Sequence, residues 1–248
     1  MRIAMVSDAH LQGLDDPNQA ALVALLDQLQ ADRLVLMGDI FHFWWGRAGS
    51  VDPGFVPVLA ALHRCLQRGV QIDYIRGNHD FHLGPVLCEQ MGIQGHESLH
   101  VTLAGRRTLL VHGDQADSRI GYRVTRRVLR GRAFGMLMSA LGPDRAQTLG
   151  RRLAGSEQHH GGPDTDLLAL QRDWAQSRLG ADCQVVVLGH SHAPGLHELD
   201  GGHLVNLGDF VHHHTFGLGD EHGFRLMRAT ADGPVPAGLA LRGPSRPR

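Results

Sequence analysis

Along this chain, residues able to hold a metal recur at one kind of place, directly after a short apolar run. In order they are Asp8 and His10, Asp39, Asn78 with His79 and Asp80, His112, and then His190 and His192. Carboxylate, amide and imidazole donors together suit a borderline divalent ion such as Mn²⁺, Fe²⁺ or Zn²⁺, whereas Mg²⁺ alone prefers oxygen ligands. Two ions can be filled from this set if one carboxylate bridges. A pair of ions ~3.5–4 Å apart clamps the attacking and leaving oxygens of a phosphoryl displacement and lowers the pKa of water toward neutrality. The chemistry these residues suggest is metal-assisted hydrolysis of a phosphoric ester.

Six apolar runs would position them: Arg2–Val6, Arg33–Met37, Gln71–Ile75, Arg107–Val111, Gln184–Leu188 and His203–Leu207. Their apolarity is continuous rather than alternating, as in strands buried on both faces. Helical patterns at Asn18–Gln30 and Phe55–Arg68 separate the first three runs, and strand–helix–strand alternation predicts an α/β protein. Side chains at the carboxyl ends of such strands converge, which is where α/β proteins place their sites. The later strands lie closer together and suggest a second, partly antiparallel sheet. With neither repeats nor a linker, residues 1–248 read as one domain, ending in a Pro-, Gly- and Arg-rich tail (233–248) expected to be loosely held.

Residues 118–152 break the pattern, with nine Arg, one acid (Asp144) and no strand signal. On a helix, Arg119, Arg123, Arg126, Arg127 and Arg130 fall within an arc of about 100° beside Ile120, Val124 and Val128. This reads as a helical insertion, about 118–180, that includes a second helix at Thr165–Arg178. The Arg arc is either a solvated face or one that meets phosphate, a nucleotide or anionic lipid. Ile120, Val124, Val128, Phe134, Leu137 and Met138 would then form an apolar wall for a lipid. Adjacent His212, His213 and His214 read as a solvated loop. Trp44 and Trp45 line a cleft or pack beneath their loop, and His42 and His82 match no ligand position.

Composition narrows the classes. With 24 basic and 25 acidic residues the net charge is −1, so no chain-wide basic footprint for nucleic acid exists. The basic residues are all Arg, which excludes Schiff-base lysine chemistry and the lysine-bearing P-loop. Cys65, Cys88 and Cys183 are odd in number and widely spaced, and they read as reduced thiols of a cytoplasmic protein. Asp8 arrives too early for a signal peptide, and no apolar run reaches the ~20 residues of a spanning helix. Nothing in the sequence sets an oligomeric state.

The blocks D-x-H (Asp8–His10), G-D (Gly38–Asp39), G-N-H-D (Gly77–Asp80), H-G-D (His112–Asp114) and G-H-S-H (Gly189–His192) resemble, in this order, the five blocks of the calcineurin-like metallophosphoesterases. The resemblance implies a four-layer α/β/β/α sandwich. It also implies that Asp8, His10, Asp39 and His192 hold a first metal, with Asp39 bridging and Asn78, His112 and His190 completing a second. His79, held by Asp80, would contact the phosphate or protonate the leaving oxygen. Gly38–Gly46 (G-D-I-F-H-F-W-W-G), Gly77–Gly84 (G-N-H-D-F-H-L-G) and the Arg/Tyr-bearing segment at Tyr122 resemble the UDP-2,3-diacylglucosamine hydrolases of lipid A synthesis. That likeness implies Mn²⁺-dependent release of UMP and 2,3-diacylglucosamine 1-phosphate at the cytoplasmic face of a membrane. Substrate contacts would come from Asn78, Arg119, Tyr122, Arg123 and Ser156. Two alternatives stay open: hydrolysis of another nucleotide-linked or phosphodiester substrate, and a non-catalytic scaffold on the same fold.

Overall fold

The computed structural model describes residues 1–47, 49–155 and 164–243. Its first strand, β1 (Ile3–Val6), shows why the apolar runs are continuous. Ala4 and Val6 enter one core while Ile3 and Met5 enter another, so both faces are buried. Helix α1 (Pro17–Gln28) starts on Asp16, whose carboxylate accepts from the Asn18 amide, with Pro17 in the first turn. After β2 (Arg33–Leu36) comes α2 (Val56–Gln67), which buries Val58, Leu59, Ala61, Leu62 and Cys65, and then β3 (Gln71–Ile75).

Short strands β4 (Gln94–His96), β5 (Leu99–Leu103) and β6 (Arg106–Leu110) lead into the insertion, made of α3 (Ile120–Leu129), α4 (Arg132–Ala140) and α5 (Pro143–Gly155). Helix α6 (Thr165–Gln176) and strands β7 (Val185–Leu188), β8 (Gly195–Leu199) and β9 (Gly202–Asn206) follow. The chain then forms β10 (Thr215–Gly219), β11 (Gly223–Arg228) and β12 (Val235–Arg242).

One sheet has the order β12-β11-β10-β1-β2-β3-β4, with β1 to β4 parallel; the other has the order β5-β6-β7-β9-β8, with β6, β7 and β9 parallel. Helices α1 and α2 cover the first sheet through Leu22, Leu26, Val58 and Leu62. Ile3, Met5, Val35 and Met37 pack against Leu110, Val185, Val187 and Val205 between the sheets. Ala175 and Trp174 of α6 close the far side. These contacts build the four layers α/β/β/α.

Two expectations are corrected. Helix α6 is not part of the insertion: Ala175 and its neighbours pack on Leu109, Val186 and Leu188, making it the outer layer of the second sheet. The tail is not loose throughout, because Val235–Arg242 pairs antiparallel with β11. Pro236 is tolerated there on an edge strand, and Gly238 (φ 85°) sits where the register shifts.

Candidate metal centre and active site

The parallel strands of both sheets end against one another, and the sequence-predicted ligands leave from those ends. Asp8 and His10 follow β1, Asp39 follows β2, Asn78 and His79 follow β3, His112 follows β6, and His190 and His192 follow β7. Among described non-glycine residues, left-handed backbone occurs at Asp8 (φ 53°), His10 (43°), Asp39 (53°), His190 (67°) and His192 (55°), and otherwise only at Ala104 and His214. Such conformations persist where surrounding structure holds them, and they collect at functional sites. Here the Asp8 amide donates to the Gly38 carbonyl (3.1 Å) and the His10 amide to the Asp39 carbonyl (2.9 Å). Each side chain is thereby turned off its strand line toward one space.

Donor atoms converge in that space. His10, Asp8 and His192 form one group; Asp39, His112 and His190 form another, with donors in each group within 4.8 Å. His10 Nε2 and His192 Nε2 stand 3.1 Å apart, and Asp8 Oδ1 lies 3.4 Å from His192 Nε2. Asp39 Oδ2 faces both groups, 3.8 Å from His10 Nε2 and 3.4 Å from His112 Nε2, and Asn78 Oδ1 lies 3.1 Å from His112 Nε2. Asp8 Oδ1 is buried and accepts no hydrogen bond among the described residues. A buried carboxylate oxygen of that kind calls for a cation, and the imidazole, carboxylate and amide set fits a borderline divalent ion.

Glycines make the approach close enough. A Cβ on Gly77 would stand 2.0 Å from Asp39 Oδ1, and one on Gly189 would stand 2.2 Å from Asp8 Oδ2.

The electrostatics follow from burying carboxylates among imidazoles. Burial pushes the Asp8 carboxyl up, yet His192 and the charge of His112 hold it down at about 2. Burial pushes His112 down, but Asp39 and Asp8 raise it to about 10. Burial and the neighbouring His79 hold His10 at about 3, and burial with the His112 charge holds His190 at about 4.

His79 Nε2 stands 3.8 Å from Asp39 Oδ2 and lines the cleft above the donors. Asp80 does not hold it, which corrects the expected catalytic pairing. Asp80 is fully buried and accepts from the amides of Asp39 (3.1 Å), Gly77 (3.0 Å) and Ile40 (2.8 Å) and from the Tyr74 hydroxyl. It shapes the Asp39 turn from beneath. His79 Nδ1 instead donates to the His42 carbonyl oxygen (2.8 Å).

A calcineurin-like phosphoesterase superfamily domain matches residues 1–134, more than half the chain. This chain belongs to the calcineurin-like phosphoesterases. The phosphoesterase is 31% identical over 225 residues to the UDP-2,3-diacylglucosamine hydrolase of Aeromonas hydrophila, covering 85% of this chain and 91% of that protein. It is 29% identical over 248 residues to the protein of the same name from Aeromonas salmonicida, covering 96% and 97%. Among solved structures, Yfce, a phosphoesterase from E. coli, aligns with a TM-score of 0.48 and 18% identity over 98% of this chain and 99% of that chain. By family the phosphoesterase is a metal-dependent hydrolase.

Of the residues expected to meet substrate, Asn78, Arg119 and Tyr122 line the phosphoesterase's cleft, of about 540 Å³. Arg119 Nε lies 2.9 Å from Asp117 Oδ1, and its Nη1 reaches Asp164 (2.9 Å). Arg123 does not reach the cleft and is exposed on α3. Ser156 lies outside the described residues.

The Arg arc divides. Arg126 Nε reaches Asp114 (2.6 Å), and Arg130 reaches Glu97 (2.7 Å) and the Gly77 carbonyl (2.9 Å). Arg123 and Arg127 face outward. The apolar wall divides too. Ile120 (81% exposed), Val124 (56%) and Val128 (59%) face solvent, while Met138 packs with Phe43 and Phe134 meets Trp45.

Trp44 packs beneath its loop, stacked on Phe41 with its indole N–H on the Leu83 carbonyl (2.9 Å). His82 lies against Trp45, and His42 lines the cleft. The three consecutive histidines are not simply solvated: His213 pairs with Asp209, His214 with Asn18, and His212 lines the cleft. Sequence reading missed Asp209, although Gly208-Asp209 follows an apolar run just as Gly38-Asp39 does.

Proposed function

We propose that this phosphoesterase hydrolyses the pyrophosphate of UDP-2,3-diacylglucosamine, giving UMP and 2,3-diacylglucosamine 1-phosphate. The observation carrying this reading is the convergence of all seven expected ligands in a chain whose relatives bear that enzyme's name over most of their length. Asp8, His10 and His192 hold one ion, Asn78, His112 and His190 the other, and Asp39 serves both. Mn²⁺ is the first candidate, with Fe²⁺ or Zn²⁺ as substitutes of similar ligand preference. Bound there, the ions supply Lewis acidity to the phosphoryl oxygens and lower the pKa of water.

The chain's own groups do the rest. His79 addresses the phosphate or the leaving oxygen through Nε2. Asp80 fixes the Asp39 turn so that its carboxylate stays between the two donor groups. Among the described residues no helix is long and apolar enough to cross a membrane. The exposed Ile120, Val124 and Val128, flanked by Arg123 and Arg127, support attachment to an anionic membrane surface, where a diacylated substrate resides.

The test is UMP release from UDP-2,3-diacylglucosamine with Mn²⁺, run beside Asp39→Ala. Release by the wild type, with activity abolished and metal content reduced to one ion or none in the variant, is the expected result. An inert wild type that still cleaves a chromogenic phosphodiester would assign another phosphoester substrate. Two retained ions and full turnover in Asp39→Ala would overturn the bridging role.

A further inference from the structure

The cleft has two unlike sides. Next to Asn78 and His79, Phe43, Phe81, Leu129, Phe134 and Leu153 line a narrow crevice between the body and the insertion. On the side of Asp8 and His10 lies a wall of Gln12, Asn18, Val211 and His212, polar apart from Val211. We infer that this polar wall is the nucleoside subsite, binding the ribose and pyrimidine of UMP while the metal centre takes its phosphate. The inference rests on the pyrophosphate hydrolysis proposed above and adds where the nucleotide half sits.

The wall is held in place before any ligand arrives. Asp209 is buried, and its Oδ1 accepts from the amides of Val211 (2.8 Å), His212 (2.5 Å) and His213 (3.1 Å). Its Oδ2 meets His213 Nδ1 at 2.7 Å. The Phe210 amide donates to the Asp8 carbonyl (3.0 Å), so this loop is fastened to the strand end that carries two ligands. His214 Nε2 meets Asn18 Oδ1 (3.0 Å), joining the loop to the start of α1. Asp16 accepts from the amides of both Gln12 (2.9 Å) and Asn18 (2.9 Å). Neighbouring backbone is thus committed, while the side chains of Gln12 and His212 make no hydrogen bond among the described residues.

Those side chains match a nucleoside. An imidazole offers a flat face on which a base stacks. The Gln12 amide both donates and accepts, and Asn18, with Oδ1 taken by His214, retains amide donors for a carbonyl or ribose oxygen. Two acyl chains would gain nothing from this wall, because unmatched polar groups are costly to cover, and the crevice on the other side is apolar. A cleft of about 540 Å³ lies within the range of small-ligand sites.

The experiment titrates the Mn²⁺-loaded protein calorimetrically with UMP and, separately, with inorganic phosphate. UMP should bind the wild type at least about 10-fold more tightly than phosphate. In Gln12→Ala/His212→Ala, UMP affinity should fall by ~10–100-fold, while phosphate affinity and metal content stay close to wild type. Equal affinities in the wild type, or UMP and phosphate weakened alike in the variant, would overturn the subsite. If the lipid substrate is not cleaved yet the UMP preference and its loss persist, the substrate proposal falls and the nucleoside subsite stands.

Discussion

A carbonyl oxygen can only accept, so the His42 carbonyl 2.8 Å from His79 Nδ1 keeps a proton on that nitrogen and leaves Nε2 to the cleft. If Nε2 protonates the leaving oxygen, His79→Gln should lower kcat by ~10²–10⁴ with metals retained. The loss should shrink on a nitrophenyl ester, whose leaving group needs little protonation. Equal losses on both substrates would make His79 a phosphate contact instead.

His112 leads to a second prediction. Asp39 and Asp8 hold its pKa at about 10 against burial, so without metal the ring is protonated at pH 8, whereas His10 and His190, at about 3 and 4, are already neutral. A ligating imidazole must be neutral, so loading at pH 8 should release about one proton per chain from His112, with His192, which Asp8 also raises against burial, adding to it. The raised pKa also means that this group stabilises the metal-free fold fully below 6.5 and that its contribution fades as pH rises through about 10. An indicator dye in weak buffer reads the release; none would show His112 already deprotonated before metal arrives.

Helix α3 has two jobs on its two sides, and the sequence exposes only part of that division. Angular spacing groups its Arg residues in one arc, but a long guanidinium stem can reach either way from such an arc. The acids that capture Arg126 and Arg130, Asp114 and Glu97, lie outside the helix in sequence, so no local pattern announces them. Because Arg130 also grips the Gly77 carbonyl, α3 is strapped to the loops bearing His112 and Asn78. Arg126→Gln with Arg130→Gln should therefore impair turnover of every substrate, small phosphodiesters included. Arg123→Gln with Arg127→Gln should instead weaken binding to anionic vesicles by about 30-fold at low salt, at ~1 kcal/mol per charge, and less as salt rises. Turnover of a small phosphodiester by that variant should hardly change. Vesicle sedimentation beside both kinetic assays decides the matter, and unchanged sedimentation would remove α3 from the membrane surface.

The parallel strands were legible for the opposite reason: burial on both faces leaves an uninterrupted apolar run. Strands β4, β5, β8 and β12 are the sheet edges, where residues such as Gln94, His100, Glu198 and Pro236 interrupt the apolar run, and they emerged only from pairing.

Across the whole molecule, the order and type of the ligands could be read from the sequence, but their partnerships could not. Which histidine shares an ion with which carboxylate depends on two sheets packing face to face so that their strand ends meet, and His10 and His192 are 182 positions apart. The same holds for the Asp209 loop: its amide-filled carboxylate becomes meaningful only once β9 delivers it beside Asp8. Because the donors come from both sheets, the metal centre ties together layers that otherwise adhere through the core between them. An ion that binds the folded chain and not the unfolded one stabilises it by mass action, by ~2.7 kcal/mol at a hundred times its Kd. For a domain of this size, each kcal/mol raises Tm by ~2–4 °C, so saturating Mn²⁺ should raise Tm by about 5–10 °C over the chelated protein. Asp39→Ala should lose most of that increment. Gly77→Ala should lose it as well, since its methyl would stand where the Asp39 carboxylate now lies. A thermal scan with and without chelator measures this directly. An increment kept in both variants would mean that the stabilising ion binds outside the space where the two sheets meet.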